Sequence, residues 1–390
     1  MNKALFRLIA SQICLHACMA GTRMAAPLLA LKEGYSEAAV GVLLALFALT
    51  QVFLSLPAGR FADRHGLRLP VTLAVVAATT GAGLAVAFPI FPVLCLAALL
   101  TGGATGAASI ALQRHVGRSA ENTTQLKQVF SFLAIGPAIS NFLGPFCAGL
   151  LIDYAGPVSG DLTGYRAAFL LMAVLPLASW FWVRHTRELP PVEVTVHGTK
   201  AKAWDLLGEP MFRRLMLVNW MVSSCWDVHT FVVPVLGHER GLSASVIGTI
   251  LGAFAIAAAV IRVAMPLVAD SLSEPVVLTG AMAVTAMAFG LYPFMHAALA
   301  MGLCSVVLGF ALGSVQPMIM SMLHQITPEH RHGEALGLRL MFINTSSVAM
   351  PMLFGAAGTL AGVGGVFWVV GAVVGMGTRM AYGLKAHKTP

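Results

Sequence analysis

In this sequence of 390 residues few side chains can hold a charge away from water, and those few are where its chemistry can lie. At about 1.5 Å per helical residue, Asp227 stands about 20 Å beyond Arg214 and Arg23 about 24 Å beyond Arg7. Both depths fall in the outer half of an apolar layer about 30 Å thick. A charge placed there costs roughly 2.5–3.5 kcal/mol on insertion scales, so it marks a site of pairing, ligand contact or proton transfer. Apolar surroundings favour a neutral carboxylic acid, and a nearby guanidinium favours the carboxylate. Asp227 is therefore the candidate for reversible protonation, with His229 or His16 as relays. A permanent Asp227–Arg23 ion pair is the competing reading of the same two residues.

These side chains belong to polar stripes. Gln12, His16, Met19 and Arg23 recur at i, i+4, i+7 and i+11, which sets them on one face of a helix. Asn219, Ser223, Asp227 and Thr230 make a second such face. The stripes are related by a repeat that runs through the chain. Pro27, Gly34, Ser36, Gly41, Phe47 and Asp63 recur as Pro234, Gly241, Ser243, Gly248, Phe254 and Asp270, each 207 residues on. Gly102, Ala104 and Gly106 recur as Gly309, Ala311 and Gly313 at the same spacing, and Pro145 meets Pro351 after a slip of one residue. Gln12, His16 and Arg23 thus correspond to Asn219, Ser223 and Thr230, and Ser109 to Gln316. Two stacked parallel repeats with a possible site at mid-depth are the pattern of a secondary transporter.

The elements that position these residues are membrane spans. The chain is 58% hydrophobic and 10% charged, with a mean hydropathy of +0.82, against about 25% charged residues in soluble domains. A span needs roughly 20 mainly apolar residues, and twelve are predicted, at about 4–30, 37–58, 70–90, 92–115, 127–152, 166–184, 213–236, 244–268, 276–296, 298–323, 335–361 and 363–384. The net charge of +8 does not call for nucleic acid. Lys3, Arg7, Arg60, Arg64, Arg68, Arg114, Arg118, Arg184, Arg187, Lys200, Arg213, Arg331 and Lys385 fall on one side, leaving little beyond Lys32, Arg166 and Arg240 on the other. The positive-inside rule then puts both termini in the cytoplasm, as for a multi-pass protein of the cytoplasmic (inner) membrane.

Lys3 and Arg7 precede an apolar run as in a secretory signal, but that run continues past Pro27 and has a repeat partner, which a cleaved signal lacks. The six cysteines lie mostly inside spans, so a disulfide framework is not expected. The fold expected is an all-α membrane protein, twelve transmembrane helices in two pseudo-symmetric six-helix bundles. The bundles are residues 1–185 and 212–390. A cytoplasmic linker at 186–211 joins them, with Pro190, Pro191 and a short amphipathic segment from Trp204 to Leu207. It serves either as a tether for two rocking bundles or as a solvated spacer.

From Gly59 to Arg68 the chain reads Gly-Arg-Phe-Ala-Asp-Arg-His-Gly-Leu-Arg. This resembles the loop signature of the major facilitator superfamily, with Gly59, Asp63, Arg64, Gly66 and Arg68 in matching places and Leu67 where a basic residue is common. With the spans and the repeat, the resemblance covers essentially the whole chain. It implies a gating contact between Asp63 and the start of span eleven, Gly333 to Arg339, with Arg339 as an additional partner. Physically, Asp63 offers a carboxylate to a positive helix N-terminus, and Gly59 and Gly66 permit close approach and a tight turn. The second copy keeps Asp270 but not the glycines and basic residues, so its latch should be weaker. Gly144, Pro145 and Gly149 resemble the family's antiporter motif, a helix bend with tight packing, and Gly164 to Phe169 resembles the opening of span six in drug exporters. Ala98 departs from the pattern, standing where that branch usually places an arginine linked to proton transfer.

The resemblance also implies that spans one, four, seven and ten line a central cavity. Gln12, His16, Arg23, Thr105, Ser109, Asn219, Ser223, Asp227, Thr230 and Gln316 would face it, joined by Arg262 and by Asn344 of span eleven. Hydrogen bonding between helices accounts equally for Asn344 to Ser347, and snorkelling or an Asp270 pair for Arg262. Cys14 with Cys18, and Met318 and Met322 with His324, are soft-ligand pairs suited to copper(I), but methionine is also an apolar filler, and no metal or other cofactor is expected. His324, His330 and His332 are read as a solvated loop. No nucleophile, metal or phosphate-loop constellation of an enzyme occurs. The expectation is a monomeric secondary transporter of a small organic molecule, driven by protons, with export by antiport ahead of uptake of an organic anion or zwitterion. A channel or a soft-metal transporter ranks below both.

Overall fold

The computed structural model describes residues 3–35, 37–155, 162–189, 203–242, 244–268 and 273–384. Its helices are α1 (Lys3–Lys32), α2 (Glu37–His65), α3 (Arg68–Ala87), α4 (Phe91–Arg118), α5 (Thr123–Leu133), α6 (Ile135–Tyr154), α7 (Thr163–Arg184), α8 (Pro210–Glu239), α9 (Ala244–Val268), α10 (Glu274–Leu291), α11 (Ala298–Ile326) and α12 (His332–Tyr382). Among the described residues nine helical stretches are long and apolar enough to cross a membrane. Large apolar side chains such as Phe53, Phe142, Leu267 and Met376 are exposed, as a lipid-facing surface requires.

Two of the spans carry backbone irregularities. The fifth, one membrane-crossing stretch over Thr123–Ile152, is interrupted at Ala134 into α5 and α6. The cause is Pro137, which has no N–H to give to Leu133 and whose ring crowds that carbonyl. α12 is the last two spans, two helices that meet at a kink where Gly362, at φ 71° and ψ 167°, leaves the helical conformation. Of the linker, Ala203–Gly208 forms a 3-10 turn with Ala203 and Leu206 buried, while residues 190–202, with Pro190, Pro191 and Lys200, lie outside the described residues.

The repeat is written into local structure. α1 and α8 end in the same way, on Gly34 at φ 83° and Gly241 at φ 72°, a left-handed conformation that glycine adopts at no steric cost. In each, the next residue's N–H closes the helix, Tyr35 on the Ala30 carbonyl at 3.0 Å and Leu242 on the Gly237 carbonyl at 3.0 Å.

The helices pack as two compact units. The first comprises Met1–Ser119, Gly136–His197 and Glu329–Asn344; the second Ala120–Ile135, Gly198–Pro328 and Thr345–Pro390. In the first, α2 and α3 pack on α4, and α1 and α3 on α7. A Cβ on Gly102 would overlap the Phe47 carbonyl, so glycine is what lets α2 and α4 touch by backbone. The core beside this crossing holds Leu29, Leu43, Leu94, Ala97, Ala98 and Phe169. In the second unit α9 and α10 pack on α11, and a Cβ on Gly309 would overlap the Phe254 carbonyl. Gly309 and Phe254 are the repeat partners of Gly102 and Phe47. Lipid tails are as apolar as leucine, so such crossings are stabilised by close van der Waals contact rather than by escape from water.

Each unit also takes one segment from the other half of the sequence. Shifting Ala120–Ile135 by the 207-residue repeat lands on residues 327–342, nearly the whole of Glu329–Asn344. The exchanged segments are repeat partners.

Candidate functional site

Asp63 lies near the end of α2, where α4, running the same way, brings Arg114 to the same place. Oδ1 accepts from Arg114 Nε at 2.7 Å and from the Gly333 N–H at 2.8 Å, and Oδ2 accepts from the Glu334 N–H at 3.0 Å. Gly333 and Glu334 open α12, whose first N–H groups have no partner within the helix and carry the positive end of its dipole. The carboxylate caps that end. The Asp63 and Arg114 side chains are 9% and 4% exposed, so this is a buried ion pair with both carboxylate oxygens hydrogen-bonded. Close approach is enforced by glycines, since a Cβ on Gly59 or Gly333 would overlap the other residue's carbonyl. Around it Glu334 receives Arg60 Nε and Arg331 Nε, each at 2.8 Å.

Of the other expected gate residues, Gly66 is at φ 74° in the turn between α2 and α3. That turn is tied down by Glu188, whose carboxylate accepts from the Leu67 and Arg68 N–H groups. Arg68 Nη2 in turn donates to the Thr186 carbonyl at 2.8 Å. Arg64 is exposed. The guanidinium that meets Asp63 is that of Arg114, and Arg339 is buried further along α12. Asp270 lies outside the described residues. Nothing in the residue pattern singles out Arg114; the Gly102–Phe47 crossing, by setting the register of α4 on α2, brings it to Asp63.

The deep polar residues divide between the units. On α1, Gln12 is buried beside Gly136, its Oε1 without a hydrogen-bond partner; His16 bonds to Asn141 of α6; and Arg23 is exposed. Met19, expected on that face, is buried in the apolar core instead. Thr105 is buried with its hydroxyl committed to the Thr101 carbonyl at 2.8 Å, and Ser109 is half-buried. Gly144 approaches α1 so closely that a Cβ would overlap the Ala17 carbonyl, and Gly149 faces Met24. Pro145 sits inside α6.

In the second unit Asn219 is buried, its Nδ2 unpartnered, and Ser223 is half-buried. The Asp227 carboxylate receives the Ser346 hydroxyl at 3.3 Å and the Ser347 hydroxyl at 3.4 Å, both from α12. Ser346 also meets Ser224 at 3.1 Å. His229, two residues and about 200° around α8 from Asp227, faces elsewhere. Its Nε2 is 2.9 Å from Ser305 Oγ and its ring stacks on Phe254 at 3.9 Å, with Tyr292 on the same serine. The structure therefore does not bring His229 to Asp227. Thr230 is exposed with its hydroxyl on the Trp226 carbonyl. Arg262 lies over the Trp226 ring at 5.5 Å and donates to the Ala134 carbonyl at 3.2 Å, at the break that Pro137 makes. Gln316 is half-buried, and Asn344, in the first unit, donates to the Leu340 carbonyl at 2.8 Å. His324, whose ring packs on Phe130 of α5, and His332, at the start of α12, are buried rather than in a solvated loop; of the three, His330 is exposed. Among the described residues no three His, Cys, Asp or Glu side chains converge as metal ligands.

The sequence pattern of the Major Facilitator Superfamily matches residues 8–214 and again residues 215–388. The chain belongs to that superfamily. The double match is the 207-residue repeat seen from outside. Among curated relatives, the class C tetracycline resistance protein of Escherichia coli is 24% identical over 349 residues, covering 86% of this chain and 84% of its own length. The class B protein of the same organism is 26% identical over 324 residues, covering 80% and 77%. Among solved structures, a bacterial homologue of the iron transporter ferroportin in its outward-facing state superposes with a TM-score of 0.77 at 16% identity, covering 98% of each chain. The human organic anion transporter MFSD10 (TETRAN) gives 0.77 at 16% identity, covering 98% of this chain and all of its own. At that identity the structures show the shared fold. The superfamily member described here is thus a multi-pass transporter and not an enzyme.

Proposed function

We propose that this transporter exports a small organic molecule across the cytoplasmic membrane in exchange for protons, by alternating access. Residues 1–185 and 212–390 would be the moving bodies, the 186–211 linker their tether, and both termini cytoplasmic, with the protein acting as a monomer. The Asp63 lock on the α12 N-terminus would hold the cytoplasmic side shut, and its release would open it. Export is preferred because the relatives that the chain resembles are named as resistance proteins, and outward transport is a way for a membrane carrier to confer resistance.

The observation that carries proton coupling is the setting of Asp227. Its oxygens meet the hydroxyls of Ser346 and Ser347. A hydroxyl donates to a carboxylate and accepts from a carboxylic acid, so the site serves both protonation states without rearrangement. A carboxylate meant to stay charged is better served by backbone N–H groups and a guanidinium, which is what Asp63 has. The test is Asp227→Asn in proteoliposomes with pH gradients of either sign. Gradient-driven accumulation should fall at least about tenfold while exchange at equal pH persists, as expected when only the coupling group is removed. Transport with unchanged pH dependence would refute the assignment.

Uptake of an organic anion or zwitterion is the second reading, and Arg23 favours it. Its guanidinium lies deep in α1 and is exposed, and charge at that depth is stable only toward water or a ligand. Counterflow of a labelled organic anion that disappears in Arg23→Gln, with inward proton-driven accumulation, would decide for it.

A further inference from the structure

The segment Ala120–Ile135 comes from the first half of the sequence but packs in the second unit, with α5 against α9 and α11. Lys127, Phe130 and Ala134, at i, i+3 and i+7, form its contact face. Lys127 Nζ lies 3.7 Å from Glu274 Oε1 at the start of α10. The same oxygen accepts from Ser321 Oγ at 3.0 Å and Gln325 Nε2 at 2.8 Å, both on α11. Phe130 packs on the His324 ring at 4.8 Å, and the Ala134 carbonyl takes Arg262. The Lys127 and Glu274 side chains are 7% and 11% exposed. A lysine so buried is rare unless paired. A buried pair adds little stability over apolar residues of the same size, so what it contributes is the choice between arrangements.

The repeat shows what this cluster corresponds to. Lys127 is the repeat partner of Glu334, the residue of the other exchanged segment that holds Arg60 and Arg331. In the first unit the exchanged segment brings an acid, paired within the segment to Arg331, onto Arg60; in the second it brings a base to an acid. The construction must differ otherwise, because the glycines that allow backbone approach in the first lock, Gly59 and Gly333, correspond to Pro266 and Leu126. Neither position is glycine in the second copy, and the contact found there is made by long side chains, Lys127 to Glu274. Glu274 also sits in the first turn of α10, where the helix dipole favours a carboxylate as the α12 N-terminus does for Asp63.

We propose that Lys127 and Glu274 are gating residues of transport, a second lock that closes on the same side of the membrane as the Asp63 lock and must break in each cycle. Its place in a cycle rests on the alternating-access reading above. The two exchanged segments are then bolts of one closure with opposite charge sense, so each engages only its own receiver.

The test uses the full chain in inside-out vesicles and thiol labelling from the cytoplasmic side, with the labelling of chains lacking the added cysteine subtracted. Ser131→Cys reports the second lock and Ser55→Cys the first, since both serines are buried in their contacts. Lys127→Gln and Glu274→Gln should each raise labelling of Ser131→Cys about tenfold, and the exchanged pair Lys127→Glu with Glu274→Lys should restore it. Indifference of Ser131→Cys to all three, while Asp63→Asn still exposes Ser55→Cys, overturns the second lock and leaves alternating access standing. Indifference of both reporters overturns alternating access itself. If the single variants fail to reach the membrane, the exchanged pair decides alone: a folded protein with native labelling supports the lock, and a protein as impaired as the singles refutes it.

Discussion

Two carboxylates in this molecule are held in different ways, and the contrast supports the roles proposed for them. Asp63 accepts from two backbone N–H groups and a guanidinium, donors that favour the charged form; Asp227 meets hydroxyls, which serve either form. Asp63 is suited to a fixed charge and Asp227 to one that comes and goes. The donors of Asp63 can be ranked. Asp63→Asn removes the charge that all three recognise and leaves Arg114 unpaired in a buried place, whereas Arg114→Gln keeps an N–H for Asp63 and leaves the α12 cap intact. We expect the closed arrangement to lose about 2 kcal/mol in Asp63→Asn and about 1 kcal/mol in Arg114→Gln. That corresponds to about 30-fold and about 5-fold faster labelling of Ser55→Cys. A larger effect from Arg114→Gln would mean that the ion pair, and not the helix cap, carries the lock.

At the scale of elements, the two halves are built by one recipe. Gly102 against Phe47 and Gly309 against Phe254 are the same backbone crossing made twice. A side chain at either glycine must push two helices apart, at a cost of about 1–3 kcal/mol. We expect Gly102→Val and Gly309→Val to lower thermal stability in detergent by comparable amounts. Gly252→Val and Gly302→Val, where a Cβ meets nothing, should be near neutral. Equal tolerance at all four would show that the crossings do not depend on close approach. This recipe was legible in the sequence, because glycine and phenylalanine recur at a fixed spacing for a steric reason that does not change between copies. So were the spans that the described helices show, while the meeting of Asp63 with the start of α12 was implied by the family resemblance. The break at Ala134 was missed because Pro137 lay inside an otherwise continuous apolar run. Arg114 and the Lys127–Glu274 pair were missed for a different reason: their partners are set by helix register and by positions that the repeat does not preserve. Glu274 corresponds to Leu67, and no periodicity points from one to the other.

For the whole molecule the exchanged segments matter more than the linker. Ala120–Ile135 finds its partners on α9, α10 and α11, and Glu329–Asn344 finds its partners on α2 and α4, so each half of the sequence presents a polar contact that only the other half satisfies. The first half made alone would leave Lys127 without Glu274, and a buried charge stripped of its partner costs about 3–5 kcal/mol. Two halves made together can satisfy both contacts with no covalent joint, since Asp63, Arg114, Gly333 and Glu334 in the one and Lys127 and Glu274 in the other all lie outside the linker sequence. Cutting the gene within that stretch and co-expressing both pieces should therefore give a complex that co-purifies and transports at no less than about half the intact rate, the linker adding only effective concentration. Either piece alone should be degraded or inactive. Charge specificity sharpens the expectation: with Glu274→Lys in one piece, association should fail until Lys127→Glu is placed in the other. Pieces that never co-purify, or that associate equally well whatever the charges at 127 and 274, would show that the tether and not the exchanged segments holds the two halves in register.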